Sequence, residues 1–331
     1  MPLPRPLAAL ALVAGSALVL TGCAAQTAPA AAEAPATPEV TTVEVVDNRG
    51  TQTVSLPPRS VVATDNRTFE TLADWGVELE AAAVALMPDS NPYTDDESIV
   101  DLGTHREPDL EAVVAADPDL IINGQRFADF YDDFASLAPE ATILELDPRD
   151  GEPFDAELRR QVTVLGEVFG KQAEAQQLVA DFDAAVDRAV AAYDATDTVM
   201  AVTTSGGEIG YIAPTVGRTL GPVFDILGLT PALAVDDATD DHQGDDISVE
   251  AVADSNPDWI LVMDRDAAIS AGDPEFTPAA DILESSQALQ GVTAVRQGNI
   301  VYMPADTYTN ESIQTYTEFL NTFADALEGT S

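Results

Sequence analysis

Apolar positions along the chain change their spacing several times, and each change marks an element. Val43 to Leu56 reads as a hairpin or strand pair, and Ser60-Val-Val-Ala63 as a first core strand. Phe69 to Trp75 reads as a helix closed by Gly76, and short strands then alternate with helices to about Pro148. This is the βαβ rhythm of a small parallel sheet. From Phe154 to about Tyr193 the period becomes helical. Leu158, Val162, Leu165, Val168, Phe169, Leu178, Phe182, Val186 and Val190 recur at three- and four-residue spacings, with one internal Gly170-Lys171 and no proline. One long helix, bent near Gly170, is expected. A second βα series begins at Thr198-Val-Met-Ala-Val202 and runs to the C-terminus. The predicted fold is therefore α/β, with two Rossmann-like lobes (41–153 and 196–331) joined by an interlobe helix over 154–195.

The two lobes share a sequence. Leu110-Glu-Ala-Val-Val-Ala-Ala-Asp-Pro-Asp-Leu-Ile-Ile-Asn123 returns 139 residues later as Val249-Glu-Ala-Val-Ala-Asp-Ser-Asn-Pro-Asp-Trp-Ile-Leu-Val262, with six of the fourteen positions identical. Each copy predicts a short helix behind a capping residue, Asp109 or Ser248, then a Pro-Asp turn and a buried strand. The same shift carries Arg126 onto Arg265, each just beyond its strand. Ligands of open α/β sheets bind off the carboxyl ends of strands. A matched pair of arginines there implies a cleft between lobes that closes on something anionic.

The first 22 residues follow other rules. Arg5 precedes an almost wholly apolar run from Leu7 to Leu20, too short to span a bilayer permanently, and Leu20-Thr-Gly-Cys23 follows. That tetrapeptide resembles the lipobox of bacterial lipoproteins, which implies a signal peptide over 1–22 and lipidation at Cys23, the only cysteine in the chain. The segment 23–40, rich in Ala, Pro and Thr and without periodicity, reads as a flexible tether. The mature protein is expected to be extracytoplasmic and held to the cell membrane by lipid.

Charge changes the picture further. The chain carries 14 basic and 58 acidic residues, a net charge of -44, which makes nucleic acid and anionic lipid poor partners. Most of the acids suit solubility. The cations become conspicuous instead: one lysine, Lys171, and thirteen arginines. With a Debye length of about 8 Å at physiological ionic strength, distant carboxylates do not cancel a local arginine cluster.

Glu107-Pro-Asp-Leu-Glu-Ala-Val113, Pro118-Asp-Leu-Ile-Ile122, Tyr131-Asp-Asp-Phe-Ala-Ser-Leu-Ala-Pro139 and Asn256-Pro-Asp258, in this order and with the lipobox, resemble the iron-siderophore substrate-binding lipoproteins of ABC importers. The resemblance spans Pro57 to Leu327 and is greatest to the branch that takes ferric catecholates. It implies the class III periplasmic-binding-protein fold, two α/β lobes on one rigid helix. It also implies a monomer that is not an enzyme and needs no cofactor, captures a ferric siderophore of catecholate or mixed type, and delivers it to an ABC importer permease. By position in the family's motifs, Arg126, Arg218 and Arg265 would form the basic ring. A planar guanidinium stays charged, donates to several oxygens and stacks on catechol rings. His242 and Tyr308 match a histidine and a tyrosine that could complete the iron's coordination. Arg67, in Asn66-Arg-Thr68, stands where relatives carry a small residue and echoes Arg218-Thr219; with Arg106 it suggests a larger or more anionic ligand. Glu111 and Glu250, related by the 139-residue shift, are the candidates for the acids that dock such proteins on their permeases, one per lobe.

Two alternatives stay open on this fold and this sequence. One is a haem or corrinoid binder, for which Tyr211, Tyr308 and His242 would matter. The other is an extracytoplasmic hydrolase of siderophore esters. The chain has no Gly-x-Ser-x-Gly elbow, no His-Glu-x-x-His and no thiol pair, and two histidines are too few for a multi-histidine metal site. Ser205-Gly-Gly207 reads as a tight βα turn and not as a nucleotide loop.

Overall fold

The computed structural model describes residues 41–329. The expected signal peptide (1–22), the expected lipidation site at Cys23 and the whole of the expected tether (23–40) lie outside the described residues.

The chain opens with the expected hairpin, β1 (Thr41–Asp47) antiparallel to β2 (Gly50–Leu56). The N-terminal lobe continues with β3 (Val61–Ala63), β4 (Ala81–Ala82), β5 (Val100–Asp101), a short ladder of β6 (Gly103–Thr104) and β7 (Glu107–Pro108), then β8 (Leu120–Asn123) and β9 (Thr142–Glu145). Five of these make one all-parallel sheet in the order β5-β4-β3-β8-β9. Helices α1 (Phe69–Asp74), α2 (Leu110–Ala116) and α3 (Tyr131–Leu137) connect its strands.

The segment 154–193 is where the structure departs from the sequence reading. It holds two helices, α4 (Phe154–Phe169) and α5 (Gln172–Ala192), separated by Gly170 in the left-handed conformation (φ 67) that ends many helices. In one continuous helix Arg159 and Asp183 would lie roughly 36 Å apart, at about 1.5 Å per residue. They form an ion pair of 2.6 Å instead, and the Arg159 guanidinium lies over the Phe182 ring. The expected bend is a reversal, and α5 returns along α4. Gly166 permits the tight approach, since a Cβ there would stand 2.6 Å from that of Ala175.

The C-terminal lobe is built on β10 (Thr198–Ser205), with β11 (Glu208–Ile212), β12 (Thr230–Pro231), β13 (Trp259–Asp264) and β14 (Ile300–Tyr302). The order is β11-β10-β13-β14, with β12 beside the start of β10, and only β11 runs antiparallel. Ser205-Gly-Gly207 is thus a ββ hairpin turn and not a βα turn; Gly206 (φ 61) and Gly207 (φ 82) supply the positive φ pair such two-residue turns need. Helices α6 (Gly221–Leu227), α7 (Val249–Ser255), α8 (Arg265–Ile269), α9 (Ala279–Ser285) and α10 (Thr293–Gln297) follow, and α11 (Ile313–Gly329) closes the chain. Among the described residues no helix is long and apolar enough to cross a membrane.

The pleat of β10 and β13 separates two cores. Val199, Ala201, Trp259, Leu261 and Met263 face a large core that also holds the N-terminal sheet, α4, α5 and α11, whereas Met200, Val202, Ile260 and Val262 face a smaller one under α7 and α9. Strands covered on both faces carry unbroken apolar runs, as Trp259-Ile-Leu-Val-Met263 does in β13. In the shared core Phe319 and Phe323 of α11 stack with 6.4 Å between rings, and Trp259 of β13 meets Phe323 edge-on at 5.6 Å.

Both copies of the repeat fold alike. Asp109 and Ser248 cap α2 and α7 by accepting from the backbone N–H of Ala112 and Ala251, at 3.0 and 3.2 Å. The helices end at left-handed Asp117 (φ 42) and Asn256 (φ 47). The aspartates after the prolines, Asp119 and Asp258, then accept from the backbone of Ser60 and Thr198 at 3.1 and 2.8 Å, tying each repeat to the first strand of its own sheet.

Candidate functional site

The strand ends of both lobes face a cavity of about 920 Å³, with Leu86, Met87, His105, Arg106 and Arg126 on one side and Arg265, Ala268, Ile269, Pro304 and Tyr308 on the other. A second cavity of about 430 Å³ adjoins it across Arg126 and is lined by Arg67, Gln125, Asp147, Pro148, Arg218 and Asp240.

Arg126 lies in the turn after β8 and Arg265 begins α8 after β13, as the repeat requires. Arg218 comes from the loop between β11 and α6. All three converge on one ring: their guanidinium carbons stand 5.0 Å (Arg126), 4.8 Å (Arg265) and 5.1 Å (Arg218) from the centroid of Tyr308. Each is held by a different set of partners. Arg126 donates to Asn66 Oδ1, Gln125 Oε1 and the Tyr308 carbonyl, all at 3.1 Å. Arg265 donates to Ser205 Oγ at 3.1 Å and stands 3.5 Å from Asp266. Arg218 donates through Nε to Glu311 Oε1 at 3.1 Å. Burial pushes the Tyr308 phenol up, but hydrogen bonds from Arg265 and Arg126, and their charges, outweigh it and hold the phenol below the usual tyrosine value.

The remaining candidates divide. Arg67 is not a spare cation for the ligand: Nη1 and Nη2 meet Asp147 at 3.1 Å and Glu311 at 3.0 Å, so two carboxylates already match its charge. Arg106 is exposed on the rim of the large cavity. His242 is not brought to the cluster. It is exposed on a turn, 4.0 Å from Asp241, and lines neither cavity. The histidine that does face the large cavity is His105, whose Nδ1 is buried without a hydrogen-bond partner. Burial and the charges of Arg126 and Arg106 lower its pKa, which keeps the imidazole neutral at pH 7. Tyr211 is buried elsewhere and donates to the Leu233 carbonyl at 2.7 Å. Among the described residues no three His, Cys, Asp or Glu side chains are grouped to hold a metal ion. Glu111 and Glu250 are the second residues of α2 and α7, exposed on the two lobes.

Two carboxylates behind the cluster escaped the sequence reading. Glu311, 1% exposed, accepts from Arg67, Gln125, Arg218 and Thr219; burial pushes it up, but Arg218 and Arg67 bring it down to about 2. Asp65 accepts from the Arg67 backbone N–H at 2.9 Å and from Gln161 at 3.0 Å. Burial, then the charge of Asp147, pushes Asp65 up to about 7 against the opposing pull of Arg67. A Cβ at Gly124 would stand 2.8 Å from the Asp65 carboxyl, so any larger residue there would have to displace it. One signal for Glu311 was present: it is the only charged residue between Asp306 and Glu318 in a chain otherwise dense in acids.

A family model described as "Periplasmic binding protein" matches residues 61–307. The petrobactin-binding protein YclQ of Bacillus subtilis is 24% identical over 318 residues, covering 95% of this chain and 96% of its own length. The ferric-anguibactin-binding protein FatB of Vibrio anguillarum is 28% identical over 304 residues, covering 91% and 90%. Among solved structures, the catecholate-siderophore binding protein VctP of Vibrio cholerae superposes with a TM-score of 0.74 at 21% identity, covering 86% of this chain and 99% of its own. BauB, solved with two molecules of acinetobactin and ferric iron, also gives 0.74, at 22% identity and with 87% and 99% covered.

Proposed function

The chain belongs to the periplasmic binding protein family, and on that premise we propose that it is an extracytoplasmic substrate-binding protein, not an enzyme, that captures a ferric siderophore of catecholate or mixed type for an ABC importer. The observation that carries this reading is the convergence of Arg126, Arg218 and Arg265, from both lobes, on the Tyr308 ring at the strand ends. Cations gathered around an aromatic floor suit a ligand that is both anionic and aromatic. The names of YclQ and FatB point the same way. Tyr308, its phenol eased toward ionisation, is the protein side chain suited to reach an open position on iron, and His105 replaces His242 as the histidine nearest that task.

The protein is further proposed to act as a monomer, lipidated at Cys23, with Glu111 and Glu250 meeting the permease. The decisive experiment is a fluorescence-quenching titration against ferric catecholate, mixed and citrate-type siderophores. Saturable binding to a catecholate or mixed complex is expected. Binding of none of them, or a Soret band in the purified protein, would overturn the reading in favour of another ligand. Cys23→Ser should release the protein from washed membranes with ligand affinity unchanged.

A further inference from the structure

Glu311 is placed unlike any other acid among the described residues. Its carboxylate lies at the seam of the lobes and receives four side-chain donors, two from each side. Arg67 Nη2 (3.0 Å) and Gln125 Nε2 (2.5 Å) come from the N-terminal lobe and meet Oε2. Arg218 Nε (3.1 Å) and Thr219 Oγ1 (2.8 Å) come from the C-terminal lobe and meet Oε1. A buried carboxylate so fully paired is rigid, because loss of any donor leaves charge uncompensated in a low dielectric.

A second observation is independent of the hydrogen bonds. Gln125 and Thr219, one partner from each lobe, are non-glycine residues at positive φ, 50° and 68°. For a β-branched threonine this is a strained conformation that persists only where the surroundings impose it. The Thr219 side chain is fixed by Glu311, and its carbonyl by the Tyr316 hydroxyl at 3.0 Å. Both strained residues stand next to a cluster arginine, Gln125 before Arg126 and Thr219 after Arg218.

Arg218 shows the consequence. Glu311 takes its Nε, and neither Nη atom has a hydrogen-bond partner among the described residues. The Nε edge of the guanidinium is anchored, and its central carbon stands 5.1 Å from the centroid of the Tyr308 ring. We infer that Glu311 is a positioning residue for ligand binding: it anchors Arg218 by its Nε, holds the Thr219 backbone in its strained turn, and so aims the free edge of the guanidinium at the anionic oxygens of the bound complex. This rests on the ligand reading above and adds to it a residue that does not itself touch the ligand. It also sets a limit on ligand charge. Two of the four interlobe arginines, Arg67 and Arg218, already share Glu311, so the site suits a complex of modest negative charge better than the count of arginines suggests.

The test is a double-mutant cycle on the full chain, with the ferric complex of 2,3-dihydroxybenzoate as probe. Glu311→Gln and Arg218→Ala are each expected to weaken binding about tenfold or more, the scale of a lost charged hydrogen bond. The double variant should bind within about twofold of Arg218→Ala alone, because the effect of Glu311 passes through Arg218. A double variant whose loss equals the product of the single losses overturns the inference and leaves a general structural role. If Glu311→Gln does not fold, Glu311→Asp carries the same cycle, since the shorter side chain keeps the charge but withdraws it from Arg218. A crystal structure of the folded variant separates this inference from the ligand reading. Arg218 turned out of the cleft, with Thr219 relaxed to negative φ, supports positioning even if the wild-type protein binds no ferric complex. Both unchanged refutes it even if binding is tight.

Discussion

The two lobes are alike at the back and different at the cleft. At the back, α2 and α7 have the same length, the same type of cap, the same left-handed ending and an equivalent aspartate clamped onto the neighbouring strand. At the cleft, the matching arginines reach the same ring by different routes. Arg126 leans on Asn66, Gln125 and a carbonyl of the other lobe, whereas Arg265 leans on Ser205 and Asp266 beside it. What holds a sheet together tolerates little variation, so it survives in the sequence as a repeat. Strand ends are free to change, and the ligand chemistry sits there.

The largest effect expected from testing this comparison is in the core. Leu120 and Trp259 occupy equivalent first positions of β8 and β13, both buried. Trp259→Ala should cost about 3–5 kcal/mol and Leu120→Ala about 2–5 kcal/mol. The tryptophan should lie at the high end, because it also packs on Phe323 and donates to Asp197 at 3.2 Å. Chemical denaturation of the two variants decides it; a larger loss at Leu120 would show that the N-terminal sheet is the less able to relax.

The second test sets the two buried carboxylates against each other. Asp65, raised to about 7, keeps its proton in the folded state where the unfolded chain has lost it. Its contribution to stability is therefore full below about pH 4 and is lost as pH rises toward 7. Glu311, lowered to about 2, behaves oppositely: its contribution is present above about pH 4.5 and is lost as pH falls toward 2. Asp147, Arg67 and Glu311 all face Asp65 electrostatically, and Gln161 of α4 donates to it. Asp65→Asn should flatten the decline in unfolding free energy between about pH 4 and 7 while leaving the acid limb in place. A decline that persists in Asp65→Asn would assign that window to another group.

At the cleft, Arg126→Ala and Arg265→Ala should each cost about 1.5–3 kcal/mol of ligand binding, the range for hydrogen bonds to charged groups, with little change in melting temperature. The difference in support sharpens this. Arg126 ties the lobes through the Tyr308 carbonyl, so its loss should also change lobe spacing in solution scattering, and loss of Arg265 should not.

Legibility followed sequence distance. Arg126 and Arg265 could be read because a fixed shift relates them, and the strands because both faces are buried. The reversal after α4 could be placed at Gly170 but not measured, since a glycine that bends a helix and one that ends it look the same until Gly166 is seen against Ala175. Glu311 escaped because its arginine partners are 93 and 244 residues away, and no local spacing encodes such a contact. His242 misled because its loop is folded on itself: Asp245 takes the backbone and hydroxyl of Thr239, which leaves the histidine on the outside.

The smallest effect belongs to Glu111 and Glu250, where the likeness of the lobes is closest. Each stands in the first turn of a seven-residue helix, exposed, and neither forms an ion pair among the described residues. A carboxylate at a helix start complements the positive end of the helix by about 0.3–1 kcal/mol, and that alone accounts for both. Docking would use the same two residues differently, as matched points of negative charge one per lobe, and would leave stability and ligand binding almost untouched. A Glu111→Ala, Glu250→Ala double variant separates the two roles. If they dock, it should bind the ferric siderophore with wild-type affinity, lose no more than about 2 kcal/mol of stability, and fail to support uptake in cells that depend on the importer. Normal uptake with the same small loss of stability would leave only the helix-start role, and the repeat would then record how the lobes were built and nothing of what they meet.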